Sequence, residues 1–386
     1  MSRFSQSRSL KPASPPGWPI VDLAQSELGT HFIYPDIRTP RFVLPLNRRA
    51  RRAGLSFFIP PTSRVLLCLR WLWRISSTFY KVVRLSETRV METIKTLGGI
   101  AGIETVIKLG TPGPHTKNTI LLLDPLQVPR AIVKMGNTEQ ATLLLKNEAH
   151  WLKAISSNNY LLNQCPALLK EQQLDEAYFI VQSAGIGKFS DYALSDSHID
   201  FLSIFQAAFH QEQSYYQSKM HRDMYRRYSL LRNKLSQGWA NRSQEALSTI
   251  EHGLRGAQLT LPAAHRDFAP WNIRLTERGL FVFDWEYASE GYLPMYDLFH
   301  FLLMPVAVRN DIPLTQVRAI LRTVRKYGNR LPDGVKQTES IDLQLLAYLL
   351  DLSLMYLESR KGKDLGYVVL CRYAELIDSF DRWRTA

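Results

Sequence analysis

The 386-residue chain is poor in cysteine and poor in acid relative to base. Its three cysteines, Cys68, Cys165 and Cys371, show no C-x-x-C spacing. That is too few for a disulfide framework and the wrong pattern for zinc, so a reducing compartment is expected. Long apolar runs are missing too. The apolar run after Pro61 is broken by Arg70 and Arg74, well short of the ~20 residues that a membrane span needs. Residues 1–30 contain no apolar core of the signal-peptide kind. A cytoplasmic location is the expectation. No internal repeat is visible. Apolar residues make up 45% and charged residues 22%, a globular rather than a disordered composition. The length allows a two-lobed core with a further segment beside it.

The surplus of base is concentrated at one end. Of 48 Lys and Arg, 15 fall in residues 1–90 against 4 acidic residues, so that nearly all of the net +13 lies there. Residues 1–18 are rich in Ser and Pro and are expected to be disordered. Residues 48–52 read R-R-A-R-R. After Pro60 and Pro61, Thr62 or Ser63 can cap a helix running to about Leu85, with Arg70, Arg74, Lys81 and Arg84 on one face. Two readings of this region stand side by side. A basic amphipathic helix with tryptophan suits an anionic membrane surface, through residues 48–85. The same helix can instead pack its apolar side on its own protein. Nucleic acid is a weaker fit.

The most informative local pattern is H-R-D-F-A-P-W-N at 265–272, followed 12 positions after the Asn by the Asp of F-D-W-E. His265, Asp267 and Asn272 occupy the fixed positions of a kinase catalytic loop, H-R-D-x-x-x-x-N. Asn272 to Leu275 and Leu280 to Phe283 read as two short strands joined by a turn that ends in Gly279. Such a hairpin returns Asp284 to the side of Asn272. In phosphoryl transfer Asp267 would accept the substrate hydroxyl proton, and Asn272 and Asp284 would offer oxygens to magnesium. His265 would hold the loop by hydrogen bonds and is grouped with Asp267 as a catalytic-loop residue.

A kinase pattern also demands a strand lysine and a helix glutamate upstream. Residues 130–134 read R-A-I-V-K, ending in Lys134. Thr138 can cap a helix to Ile155 that carries Glu148, placed to pair with Lys134. Taken singly, each is equally a solvated surface charge. Ile103 to Leu109 and Thr119 to Leu123 are strand candidates. The loop between them, G-T-P-G-P-H-T-K-N, can cover nucleotide phosphates with backbone amides and Lys117. It lacks G-x-G-x-x-G, its prolines carry no amide donor, and an ordinary hairpin loop fits as well. Ala167 to Leu174 and Tyr178 to Val181 are further strands. The backbone from Gln182 to Ala184 then lies where a hinge would meet the adenine edge.

Together these motifs resemble the aminoglycoside phosphotransferase and choline kinase group, a branch of the protein-kinase-like fold. The resemblance rests on H-R-D-F-A-P-W-N, V-F-D-W-E and P-M-Y-D-L, and covers roughly residues 103–301. It implies an α+β, two-lobed protein-kinase-like fold. A small antiparallel β-sheet N-lobe (96–185) would precede a larger helical C-lobe (186–386), behind a basic N-terminal extension (1–95). It also implies a small-molecule kinase using ATP, or GTP, with Mg2+. Asp267 would be the base, Asn272 and Asp284 the metal ligands, and Lys134 with Glu148 the phosphate-positioning pair. Asp297 resembles the family's Asp that supports the catalytic loop. Arg266 departs from the usual Gly. D-W-E in place of D-F-G, with no A-P-E, separates the chain from protein kinases.

In the C-terminal part, Ile199 to Tyr216, Ser340 to Arg360 and Leu365 to Trp383 read as helices. A second H-R-D, at 221–223, lies in a helical run without the following Asn and reads as a coincidence. The acceptor expected is a small molecule with a hydroxyl, such as a sugar or glycan-lipid precursor at the inner membrane surface. The alternative is a catalytically inactive, nucleotide-binding scaffold.

Overall fold

The structure, a computed structural model, describes residues 31–34, 41–59, 103–110, 115–174, 177–331 and 341–384, with the backbone of strands at 23–25 and 82–85. The chain divides into two compact units, residues 1–149 with 168–184, and residues 150–167 with 185–386.

The first unit is built on an antiparallel sheet. Its strands in chain order are β1 (Leu23–Gln25), β2 (His31–Tyr34), β3 (Phe42–Pro45), β4 (Val82–Leu85), β5 (Glu104–Lys108), β6 (Asn118–Leu123), β7 (Pro129–Gly136), β8 (Leu168–Leu174) and β9 (Ala177–Ser183). They lie side by side as β1-β4-β2-β3-β5-β6-β7-β9-β8. The central strands are apolar at consecutive positions because both faces are covered. Ile107, Ile120, Leu122, Val133 and Phe179 pack on one face. Val106, Leu121, Leu123 and Ile132 pack on the other, with Leu55 and Phe57 of α1 (Arg48–Phe58). Successive strand residues point to opposite sides, so a run such as I-L-L-L serves two cores at once.

The basic segment differs from a simple extension. β3 pairs with β5, and α1 sits so close to β5 that a Cβ on Gly54 would fall 2.4 Å from a Val106 methyl. β2, β3 and α1 are therefore part of the sheet unit rather than a simple extension of it. The helix expected from Thr62 or Ser63 to Leu85 falls mostly outside the described residues. Its last four positions are strand β4, paired with β1 and β2. Residues 1–18 also fall outside them. Among the described residues, no helix is long and apolar enough to cross a membrane.

α2 (Glu139–Ser156) starts where Thr138 Oγ1 accepts the Ala141 amide at 3.1 Å, the cap expected from sequence. The second unit continues with β10 (Lys188–Phe189), α3 (Asp196–Ala208), β11 (His210–Ser214), α4 (Lys219–Leu231), α5 (Gln237–Gly253) and β12 (Gln258–Pro262). The hairpin β13 (Ile273–Thr276) and β14 (Gly279–Val282) follows. The chain ends in helices α6 (Tyr296–Ala307), α7 (Leu314–Gly328), α8 (Ile341–Ser359), α9 (Val368–Asp378) and α10 (Phe380–Trp383). α8 is apolar nearly all round and buried along most of its length, as a central helix must be. The helix expected over Ile199 to Tyr216 ends at Ala208 instead. The apolar period stops at Phe209, and H-Q-E-Q-S pairs as β11 with β12, a partner some 45 residues away. The second H-R-D lies on α4, where Asp223 bonds Lys219 at 2.8 Å.

Candidate active site

The catalytic loop is held from both sides. Its entry is pinned by a bridge in which Ala264 and Ser289 exchange amide hydrogen bonds of 2.8 and 2.9 Å. Asp297, in the first turn of α6, accepts the amides of His265 at 2.8 Å and Arg266 at 2.9 Å. Burial pushes the Asp297 carboxyl up to about 6, against the lowering effect of those two bonds. His265 is fully buried. Its Nδ1 accepts the Asp267 amide at 3.2 Å and its Nε2–H donates to the Phe283 carbonyl at 3.1 Å. Burial lowers its pKa to about 4, which keeps the ring neutral, and the two bonds set its tautomer. His265 thus ties the loop to the strand exit just before Asp284.

Asn272 ends a 3-10 turn, Pro270–Asn272, so β13 begins one residue later than the sequence suggests. The hairpin runs in register from Ile273 opposite Val282 to Thr276 opposite Gly279. Gly279 has φ of 105°, a conformation that favours glycine. The Phe283 amide donates to the Asn272 carbonyl at 3.0 Å, which brings Asp284 to the side of Asn272. The Asn272 side-chain NH2 donates to Asp267 Oδ2 at 2.7 Å and to the Asp267 carbonyl at 3.0 Å. Its amide donors are committed to Asp267, and its oxygen is the atom suited to a metal ion. Asp284 takes a left-handed φ of 75°, costly for a non-glycine residue. Trp285 behind it is fully buried against His265 and Phe205, anchoring the turn. One carboxylate oxygen of Asp284 and one of Glu286 lie within 4.8 Å of each other. Hard oxygen donors in such a cluster fit magnesium.

In the sheet unit, Lys134 Nζ and Glu148 Oε1 form a 2.5 Å ion pair, with Lys134 7% exposed and Glu148 fully buried. A surface location for either charge is ruled out. Lys117 lies half-buried just before β6, across from Gly110, whose amide donates to Asn118 Oδ1 at 3.2 Å. Residues 111–114 of that loop fall outside the described residues. Gln182 is buried in β9, opposite Ile132. The Ala184 amide donates to the Arg130 carbonyl at 3.1 Å. This bond commits the Ala184 N–H to the sheet.

Residues 116–334, more than half of the chain, match the phosphotransferase enzyme family, APH. The chain belongs to this family. Among solved structures, a thermostable mutant of aminoglycoside phosphotransferase APH(4)-Ia in ternary complex with ADP and hygromycin B is similar. Its TM-score is 0.51 at 11% identity, covering 76% of this chain and 97% of that one. A mutant of aminoglycoside 2'-phosphotransferase-IIIa in its GDP complex gives 0.50 at 13% identity, covering 76% and 98%. At such identities these likenesses speak for the fold. No curated protein matches the chain.

Two residues of this phosphotransferase, Glu286 and His300, and the partner of a third, Arg266, were not singled out from its sequence. Glu286 belongs to a D-W-E motif whose Asp alone was taken as a ligand. His300 lies 3.0 Å from Asp267 Oδ1, from a position 33 residues downstream. Arg266 turns away from Asp267 and bonds Asp351 Oδ2 at 3.0 Å, stacked on the Tyr292 ring. Asp351 also accepts from Arg227 at 2.7 Å and from the Tyr296 hydroxyl at 2.7 Å. Only the H-R-D motif and the P-M-Y-D-L run marked the neighbourhood. The partners on α4 and α8 carry no local signature.

Proposed function

We propose that this phosphotransferase moves the γ-phosphoryl group of ATP to a hydroxyl of a small molecule, with magnesium. The observation that carries the proposal is the Asp267 carboxylate, fixed at the loop end by Asn272 and backed by the buried His265. Asp267 would take the hydroxyl proton as the acceptor oxygen bonds the γ-phosphorus. The bond from that phosphorus to the bridging oxygen breaks, and ADP leaves. Lys134, steadied by Glu148, would position the nucleotide's phosphates. Asn272 and Asp284 would hold magnesium, which neutralises phosphate charge when bound. Proteins of similar fold were solved with ADP and with GDP, so GTP is a second donor to test. The test is thermal stabilisation by Mg-ATP in the wild type and in Asp284→Ala. Binding to the native state alone raises Tm by mass action. We expect a magnesium-dependent rise that Asp284→Ala removes. No rise with either nucleotide, at concentrations that should saturate a kinase, would leave a kinase-shaped scaffold.

For the acceptor, we infer a sugar hydroxyl, on a free sugar or a glycan-lipid precursor at an anionic membrane face. The APH(4)-Ia structure of similar fold was solved with a second molecule, hygromycin B, beside ADP. The membrane part rests on charge. Arg48, Arg49 and Arg52 are exposed on α1, whose first turn holds no acid to offset them. Each basic residue near an anionic leaflet contributes about 1 kcal/mol. Replacing these three by Glu should abolish co-sedimentation with phosphatidylserine vesicles at low salt. Equal co-sedimentation of the two proteins would end the membrane reading and leave the sugar reading standing.

A further inference from the structure

We propose that His300 is a positioning residue for the base of this phosphotransferase, and that it holds Asp267 through a buried, one-directional hydrogen-bond chain. The proposal rests on Asp267 being the base. His300 follows Asp297 by three residues on α6, so the two side chains share a helix face. Asp297 secures the loop's amides, and His300 Nε2 lies 3.0 Å from Asp267 Oδ1. One helical turn therefore holds both the backbone of the loop and its carboxylate.

The direction of each bond follows from chemistry. An ionised carboxylate only accepts, so Nε2 carries the proton and donates to Asp267. In the neutral ring Nδ1 is then an acceptor. It faces the Tyr348 hydroxyl at 3.4 Å, and that hydroxyl lies 2.9 Å from the hydroxyl of Tyr373. Tyr373 donates to Tyr348, Tyr348 to His300, and His300 to Asp267. Tyr373, Tyr348 and His300 are buried, His300 to 1% exposure, so water does not compete for the bonds among them, and only the Asp267 end of the relay is partly open. On the other side, Asn272 donates to Asp267 Oδ2 at 2.7 Å. Each carboxylate oxygen is thus tied to a different element, and rotation of the carboxylate would break both ties. Lone pairs remain on both oxygens for an acceptor hydroxyl. Nε2 already bears a proton when it donates to Asp267, so His300 does not receive the acceptor's proton at that atom. It orients the carboxylate and stabilises its negative charge.

The experiment uses the full chain and Mg-ATP, with water as the acceptor and phosphate release as the readout. Wild type, Asp267→Asn, His300→Leu and His300→Gln are compared. Leu removes the donor, whereas the Gln amide can reach the place of Nε2. We expect His300→Leu to lower kcat by about 10- to 100-fold with KM for ATP within about twofold, and Gln to recover most of the loss. A second readout is the 15N signal of His300 in histidine-labelled protein, assigned by its disappearance in His300→Gln. It should report a ring protonated at Nε2, and it should move in Asp267→Asn and in Tyr348→Phe. Unchanged kcat in His300→Leu beside a crippled Asp267→Asn overturns the positioning role and spares the base. Full activity in Asp267→Asn overturns the base itself. Equal losses in Leu and Gln, with a His300 signal indifferent to Asp267→Asn, reduce His300 to packing and overturn the proposal. If water is too poor an acceptor for turnover, the 15N arm decides alone, and an unmoved signal counts against the contact.

Discussion

Asp267→Asn is expected to lower phosphoryl transfer by about 10²- to 10⁴-fold while Mg-ATP affinity stays within about twofold. The substitution keeps size and shape and removes the carboxylate proposed to take the acceptor's proton. It also inverts part of the local hydrogen bonding. The carboxylate now accepts from Asn272 at 2.7 Å and faces His300 Nε2 at 3.0 Å. An asparagine has one oxygen, so one of those donors would face an NH2 group. The loop should loosen slightly as well as lose its base, and Tm should fall by a few degrees. Two measurements separate these effects. Transfer to the best acceptor in a panel of sugars reads the chemistry, and the Mg-ATP-induced Tm shift reads the nucleotide site. Activity above about a tenth of wild type, with the nucleotide shift intact, would remove Asp267 from the role of base.

Much of this site was legible because its parts are local. The H-R-D-x-x-x-x-N loop, the turn at Gly279 and Asp284 fall within twenty residues, and a hairpin is the simplest way to fold them. The hairpin register then brings Asn272 and Asp284 together with no long-range information. Lys134 and Glu148 are 14 residues apart, and Thr138 between them caps the helix, so their pairing is again a short-range event. Strands β5, β6 and β7 were visible as apolar runs with turns between them.

What escaped has a common cause. Periodicity shows which face of an element is buried and not what it is buried against. β11 is a polar pentapeptide that becomes a strand only because β12 offers it an edge. Residues 31–58 looked like an appendage by charge, yet β3 finds an open edge at β5 and α1 covers the sheet beside it. His300 reaches Asp267 across 33 positions and Asp351 reaches Arg266 across 85. No spacing rule reports contacts made by two helices against one loop.

The departure from the family at Arg266 leads to the largest expected effect on stability. Arg266 has φ of 65°, a left-handed conformation that glycine adopts freely and arginine does not. The strain is offset by what the side chain gains. Its guanidinium is buried, stacked on Tyr292 and bonded to Asp351. Asp351 is fully buried and serves Arg266, Arg227 and the Tyr296 hydroxyl together. Asp351→Asn would leave two buried guanidinium groups facing a neutral amide. Removing one partner from a buried ion pair costs about 3–5 kcal/mol, since the other charge stays desolvated. Arg266→Gly behaves differently. It takes away one cation together with the backbone strain, and Asp351 keeps Arg227 and Tyr296. The glycine variant is therefore expected to be clearly more stable than Asp351→Asn, although it loses the larger side chain. Urea unfolding of both variants, compared at constant m, reads the difference directly. If Arg266→Gly proved the less stable of the two, the Asp351 network would not be what holds the catalytic loop in its left-handed turn. The packing of Arg266 on Tyr292 would then carry that load.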